Sequence, residues 1–351
     1  MRILVLGGTG AMGIHVVDLL AQKGNDVYVT SRRTNSSEGN ISYLKGDAKN
    51  LDFLTSLLND KWGAIIDFMV YSTDEFGERY RLFLNATPHY LYFSSSRVYA
   101  NSEKPITEES ARLLDVCTDN EYLQTDEYAL SKARQEDILR ASGKANFTII
   151  RPYITYSENR FQLGVLEKEE WLYRALKGKK IVFDMELMEK KTTLTYALDV
   201  ANGIVSLLEA KPIGDTFHIT APAAIRWKEV LVIYLEILSQ HLGYTPKVVL
   251  VDQHKFFKLK GSTYQIKYDR MFDREFNSNK ISEYIDTKSF LGVREGIRLS
   301  LSQFLQNPEF NNINLMAEVR KDVYAKDLTN IFEIKGLKNK LRAILIWLGL
   351  K

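Results

Sequence analysis

Tyr128-Ala129-Leu130-Ser131-Lys132 sets a phenol and an ammonium four residues apart, on one face of a helix. An ammonium at that range favours the phenolate and draws the tyrosine pKa down from about 10 towards neutrality. A tyrosine tuned in this way exchanges a proton with a carbinol or carbonyl oxygen at physiological pH. Spacing alone does not select the pair. The chain has 19 tyrosines and repeats the pattern at Tyr173/Lys177 and Tyr284/Lys288. Position selects it: only Tyr128 and Lys132 lie where strand and helix patterns alternate, and the other two pairs read as solvated helix faces. Ser94-Ser95-Ser96 closes the apolar run Leu91-Tyr92-Phe93, and a hydroxyl at a strand end can polarise the reacting oxygen.

A second constellation opens the chain. Arg2-Ile3-Leu4-Val5-Leu6 is strand-like, Gly7-Gly8-Thr9-Gly10-Ala11-Met12-Gly13 follows at once, and Ile14 to Leu20 has helical spacing. Strand, glycine turn and helix form the geometry that holds a dinucleotide pyrophosphate. Gly7 allows the turn, Gly10 lets the backbone approach the phosphates, and Gly13 lets the helix pack closely. The free N–H groups at the helix start favour an anion.

The elements that must position these groups follow in order. Strands are expected at Val27–Thr30, Ile41–Lys45, Ala64–Phe68, Tyr90–Ser94 and Phe147–Arg151. Helices are expected at Leu51–Leu58, at 74–86 with Phe76, Tyr80, Phe83 and Leu84 on one side, and at Glu127–Ala141. This alternation predicts an α/β fold, a Rossmann-type doubly wound parallel sheet, over residues 1–152. Beyond Arg151-Pro152 the rhythm breaks. Helices are expected at 165–177 (with Leu166, Trp171 and Leu172), at Leu198–Glu209 and at 226–242, with strands at Phe217–Thr220 and Lys247–Val251. Residues 153–307 read as a smaller, mixed α/β substrate-binding part, with later segments returning to the first domain. Residues 308–351 read as a helical tail, in which Leu337, Leu341, Ile344, Leu345 and Leu348 share one face. Residues 331–351 carry five basic residues and one acidic. A helix docked on the body or on another subunit is the simpler reading of that face; a basic amphipathic helix on a membrane surface is the other.

Composition narrows the class. At 351 residues with 45% hydrophobic and 26% charged residues, the chain has the make-up of a soluble globular enzyme. A net charge of +3 is too small to argue for a nucleic-acid partner. Cys117 is the only cysteine, so there is no intrachain disulfide and no cysteine metal cluster, which fits a reducing compartment. The first strand begins at Arg2, leaving no room for a signal peptide, and no apolar run has the length of a membrane span. A cytoplasmic location and a homodimer are expected.

Taken together, the motifs resemble the extended short-chain dehydrogenase/reductase family, in its NAD-dependent epimerase/dehydratase branch. The resemblance rests on Gly7, Gly10 and Gly13; on Ser95 three residues before Val98-Tyr99; on Tyr128 and Lys132; on Arg151-Pro152; and on Tyr196-Ala197-Leu198-Asp199-Val200-Ala201. Order and spacing agree over roughly residues 1–300. The resemblance implies that Tyr128 is the acid/base, that Lys132 tunes it and holds the nicotinamide ribose, and that Ser95 binds the reacting oxygen. It implies cofactor contacts from Gly7, Thr9, Gly10, Ala11, Met12, Gly13, Ser31, Arg32 and Arg33, and from Asp47 at the adenine with Ala48 beside it. Phe68, Met69, Val70 and Pro152 would line the cofactor as well. Ser96, Arg160 and Arg270 are candidate substrate contacts, the arginines for a diphosphate.

Three departures from the family pattern shape the expected activity. The second strand ends Thr30-Ser31-Arg32-Arg33 with no carboxylate for a ribose 2′-hydroxyl. Arginines suit a 2′-phosphate, so NADP is preferred over NAD. Ser96-Arg97 stands where dehydratases carry Asp-Glu, which argues against water elimination. Ile154 departs from the pattern of members acting on nucleotide sugars. The expected function is an NAD(P)-dependent oxidoreductase or epimerase moving a hydride at a carbinol or carbonyl carbon, on a nucleotide sugar. The alternatives are a reductase of another small carbonyl compound and a non-catalytic dinucleotide-binding regulator. An RNA-binding relative is disfavoured by the charge and by the lack of a basic-aromatic stripe.

Overall fold

Seven strands, all parallel, form one sheet in the computed structural model, which describes residues 1–350. They are β1 (Arg2–Leu6), β2 (Asp26–Ser31), β3 (Ile41–Lys45), β4 (Ala64–Asp67), β5 (Tyr90–Phe93), β6 (Phe147–Pro152) and β7 (Asp215–Ile219). Their order is β7-β6-β5-β4-β1-β2-β3. Register runs Ile3 opposite Val27 on one side of β1 and opposite Ala64 on the other.

Alternate residues of each strand face opposite sides, and both sides are buried, as a parallel sheet requires. Ile3, Val5, Ile66, Leu91, Phe93 and Ile150 point one way. There they meet helices α1 (Gly13–Gln22) and α5 (Ala197–Ala210) through Val16, Leu20, Val200 and Ile204. Leu4, Leu6, Ile65, Tyr90, Tyr92 and Ile149 point the other way. They meet α2 (Leu51–Leu58), α3 (Thr73–Ala86) and α4 (Tyr128–Arg140) through Leu54, Phe76, Phe83 and Leu139. The helix starts have local causes. The Asn50 side chain accepts from the Phe53 amide, and Ser72 and Glu75 form a reciprocal capping box before α3.

The chain divides into two compact units that interleave in sequence. The first comprises residues 1–157, 193–224 and 275–293; the second comprises 158–192, 225–274 and 294–351. The first contains the whole seven-stranded sheet. In the second, Ile181–Asp184 pairs in parallel with Val248–Val251, beside α6 (Trp227–Leu242), α7 (Leu315–Ala325) and α8 (Leu337–Trp347). Residues 308–351 belong to this unit. Arg174, fully buried, is ion-paired with Glu318 at 2.9 Å and Asp322 at 3.0 Å, which ties α7 to the helix Leu172–Leu176.

The helix expected at 165–177 shrinks to Leu172–Leu176. Gly164 has φ +61°, and Leu163 and Leu166 bridge to each other, so the backbone turns on itself before a helix can start. Leu166 and Trp171 are still buried, but from irregular backbone. Their apolar spacing reflected burial rather than helical periodicity.

Candidate active site

The glycine turn divides into positions closed by packing and one that is open. Gly7 has φ +71°, and its amide donates to Thr30 Oγ1 at 3.1 Å. A Cβ on Gly8 would lie 2.8 Å from Val5 and 2.9 Å from Val29, and one on Gly13 would lie 2.6 Å from the Gly8 carbonyl oxygen. Gly13 therefore secures the approach of α1 to the loop itself, and Gly8, outside the three-glycine spacing, is equally confined. A Cβ on Gly10 would meet nothing nearer than the Gly7 carbonyl oxygen at 3.8 Å. Thr9 and Gly10 are exposed, while Ala11 and Met12 are half-buried. No side chain caps α1 and no acidic residue lies in its first turn, while the Ile14 amide donates to the Gly10 carbonyl at 3.1 Å.

The strand order reverses beside β1, where β2 and β3 lie to one side and β4 to β7 to the other. Ligands of open α/β sheets bind at such a reversal, beyond the carboxyl ends of the strands. The residues following β4 reach it. The Phe68 amide donates to the Leu6 carbonyl at 3.0 Å, and Met69 Sδ lies 3.0 Å from the Cβ position of Gly7. Phe68 packs against Phe93 from β5, with ring centres 4.3 Å apart and planes tilted by 37°, and Val70 is exposed. At the end of β2, Ser31 is buried and its hydroxyl accepts from the Arg33 amide and the Asn35 side chain. Arg32 and Arg33 are exposed, and among the described residues no carboxylate is paired with either. After β3, Asp47 is exposed and accepts from the Lys49 amide, and Ala48 is buried. Pro152 ends β6 opposite Ile219.

The end of β5 and the start of α4 meet. Ser95 caps a short turn over Ser96–Val98, its hydroxyl accepting from the Arg97 amide at 3.2 Å. The Arg97 guanidinium lies 5.2 Å from the centre of the Tyr128 ring. It is held there by Glu127 at 2.5 Å, whose other oxygen accepts from the Ala129 amide at the start of α4 and from the Tyr122 hydroxyl. One turn beyond half-buried Tyr128, Lys132 is buried and donates to the Phe93 carbonyl at 2.6 Å, with its ammonium 4.8 Å from the centre of the Tyr92 ring. The fold therefore brings Ser95, Tyr128 and Lys132 to one place. Arg97 and Glu127 join them, and sequence reasoning did not single them out for the site. No spacing rule links residue 97 to 128, because the contact exists only once β5 and α4 are adjacent.

Beneath this surface lies a buried polar layer. Asp67, at the end of β4, accepts from the Tyr90 hydroxyl at 2.7 Å, the Tyr71 hydroxyl at 3.4 Å and the Met69 amide at 3.0 Å. Burial pushes its carboxyl up to about 6, opposed by those hydrogen bonds and by the Lys132 charge. Burial likewise draws Lys132 down to about 8, opposed by the charges of Asp67 and Glu136. Gln135 accepts from the Tyr92 hydroxyl at 2.7 Å and donates to the Tyr71 carbonyl. Arg151 grips Glu136 with two bonds, at 2.8 and 2.6 Å. Burial works to raise the Glu136 carboxyl, but the Arg151 charge and bonds hold it below the usual carboxylate range.

The remaining candidates have other duties. Ser96 is fully buried and donates to the Arg151 carbonyl at 2.7 Å, tying β5 to β6 instead of facing a substrate. Arg270 lies buried in the second unit. It donates to the Gly164 carbonyl at 3.0 Å and pairs with Asp269, so it is a core residue of that unit rather than a free diphosphate ligand. Arg160, in the same unit, is half-buried and 3.6 Å from Glu167. Of the other tyrosine–lysine pairs, Tyr284 follows a short 3-10 turn and packs on Phe217, so it is not a solvated helix face. Tyr173 and Lys177 stack on each other at the end of the helix Leu172–Leu176.

A model of the NAD dependent epimerase/dehydratase family matches residues 3–220, more than half of the chain. Among curated proteins, the chain is 25% identical over 226 residues to the chloroplast stem-loop binding protein of 41 kDa b of Arabidopsis thaliana. That match covers 59% of this chain and spans about half of the relative, 55% of its length. Solved structures of similar fold include the dTDP-glucose 4,6-dehydratase of Bacillus anthracis in complex with NAD. It is 19% identical with a TM-score of 0.67, over 88% of this chain and 98% of that one. Another is the UDP-N-acetylglucosamine 4-epimerase of Bacillus cereus, 18% identical with a TM-score of 0.62, over 89% and 99% of the two chains. At these identities the likeness is one of fold.

Proposed function

This chain belongs to the NAD-dependent epimerase/dehydratase family, and from that membership we propose that it moves a hydride at a carbinol or carbonyl carbon of a nucleotide sugar. The observation that carries the reading is the junction of β5 and α4, where Ser95, Tyr128 and Lys132 converge. The glycine turn supports a dinucleotide there: the side of Gly10 is open, and no side chain caps α1.

When bound, a nicotinamide dinucleotide supplies the hydride donor or acceptor. Gly7, Thr9, Gly10, Ala11, Met12 and Gly13 would hold its diphosphate, and Asp47 and Ala48 its adenine end. Phe68, Met69, Val70 and Pro152 would line the cofactor, and Lys132 would reach the nicotinamide ribose. Tyr128 gives or takes the proton at the substrate oxygen through its hydroxyl. Lys132 favours the phenolate, and Ser95 donates a hydrogen bond to the same oxygen. The absence of a carboxylate at the end of β2, with Ser31 shaping the turn and Arg32 and Arg33 exposed, favours NADP over NAD.

Nucleotide sugars are supported by the dehydratase and the epimerase of similar fold, whose names specify such substrates. Return of the hydride to the opposite face gives an epimerase; exchange of cofactor gives a reductase. No helix of the described residues is long and apolar enough to cross a membrane.

Native mass spectrometry of the purified protein tests the cofactor, and incubation with nucleoside-diphosphate sugars, with and without added NADPH, separates the two outcomes. Tyr128→Phe is expected to lower turnover by about 10²- to 10⁴-fold while the dinucleotide stays bound. Full turnover in that variant rejects the mechanism. A second reading, RNA binding, is favoured only by the name of the chloroplast relative. Fluorescence anisotropy with an RNA hairpin at physiological salt would detect it.

A further inference from the structure

Helix α8 has two apolar faces, and only one of them is used. Ala343 and Ile346 are buried against Val319 of α7 and Ile334, with Trp347 packed beside them. On the opposite face Leu337 is 75% exposed, Leu341 54% and Leu348 65%, and Ile344 and Leu345 are exposed as well. At 3.6 residues per turn these five side chains span an arc of about 100°. Lys338 borders that arc on one edge and Lys340 on the other, with Arg342 beyond Lys338. The Lys340 ammonium lies 5.5 Å from the ring of Phe332, itself 82% exposed, so this aromatic extends the same apolar edge. Glu333 is the only acidic residue between 331 and 351, and α8 contains none.

We infer that this face is a docking surface for an anionic lipid bilayer, with α8 lying in the plane of the interface. The charges select the occupant. Two copies of the face brought together would set Lys338, Lys340 and Arg342 against their own images with no carboxylate to neutralise them. An anionic headgroup layer neutralises all three, while the leucines enter the acyl boundary and the lysine stems reach back along them. The helix is too short to cross a membrane, which leaves the in-plane arrangement. The surface is independent of the hydride-transfer reading and survives its failure.

Flotation of the full chain with vesicles of phosphatidylcholine alone, or mixed equally with phosphatidylglycerol, tests the inference. The chain is expected to float with the anionic vesicles, to stay behind with the neutral ones, and to be released as salt is raised. Leu341→Gln with Leu345→Gln should abolish flotation, and Lys338→Gln and Arg342→Gln should each weaken it about fivefold. All four positions are exposed, so the unfolding temperature should not move. Three results would overturn the proposal: no flotation of the unmodified chain, equal flotation with both vesicle types, or self-association in solution that Leu341→Gln abolishes.

Discussion

The guanidinium of Arg97 lies over the ring of Tyr128, 5.2 Å from its centre, and Glu127, the residue before that tyrosine, fixes it there. Arg97 thus sets a cation on this ring, besides the ammonium that the proposed mechanism assigns to Lys132. A cation over an aromatic face contributes about 0.5–2 kcal/mol, more where water is excluded. Arg97→Met is expected to lower kcat/KM by about three- to thirtyfold and to move the Tyr128-dependent limb of the pH profile upward. Arg97→Lys should restore most of the loss. Superimposable pH profiles for Arg97→Met and the parent would reduce Arg97 to a brace for the start of α4.

Gly10 and Gly13 should respond differently to the same substitution. Gly10→Ala adds a methyl into open space, so its unfolding free energy should stay within about 0.5 kcal/mol of the parent, yet dinucleotide affinity should fall about tenfold or more. Gly13→Ala forces a Cβ to 2.6 Å from the Gly8 carbonyl oxygen and should cost both stability and binding. Thermal unfolding alongside a cofactor titration separates the two.

Arg32 and Arg33 set the expected cofactor choice. Replacing both with alanine removes charge-assisted bonds of about 1.5–3 kcal/mol each to a 2′-phosphate, a ten- to hundredfold loss per bond. The NADP dissociation constant should rise accordingly and that for NAD should stay put. Equal losses for both dinucleotides would contradict the NADP preference.

Lys132 supplies a pH dependence of defined sign. Burial draws it from 10.5 to about 8, so in the folded protein its charge disappears as pH rises through about 8. Because the reaction needs that charge, kcat/KM should fall above this pH. Stability runs the other way. The unfolded chain keeps its proton to about 10.5, so the penalty for burying the ammonium is full below pH 8 and relaxes between 8 and 10.5. Lys132→Met should remove this rise in stability together with the activity. Unfolding titrations at several pH values check it.

Asp67 acts in a lower window. Its carboxyl is raised from 3.8 to about 6, so the folded state keeps a proton that the unfolded chain has released. Stability is lost as pH rises from about 4 to about 6, by about 3 kcal/mol in all. Asp67→Asn keeps an acceptor for Tyr90 and removes this dependence. The difference in unfolding free energy between variant and parent should therefore grow in favour of asparagine across that interval. A flat difference would mean that the buried carboxyl ionises normally.

Local signals were strong wherever the chemistry is local. The alternation of Ile3 and Val5 with Leu4 and Leu6, the glycine turn after them, and the four-residue step from Tyr128 to Lys132 all announce their structures, because period and turn geometry are properties of neighbouring residues. The stretch 165–171 misled for the same reason: its apolar Leu166 and Trp171 suggest a helix but are buried from irregular backbone that follows the turn at Gly164.

Tertiary structure decided what no spacing encodes. Sequence by itself determined the strand-and-helix alternation, the glycine turn after the first strand and the four-residue step from Tyr128 to Lys132, since each follows from residues a few positions apart. Only the folded chain could set Arg97 on Tyr128, place Asp67 beneath Lys132, consign Ser96 and Arg270 to packing, and turn the leucines of α8 outward. Each of those outcomes depends on which strand lies beside which and which helix face meets a neighbour, and burial and charge pairing settle that only when the whole chain has packed.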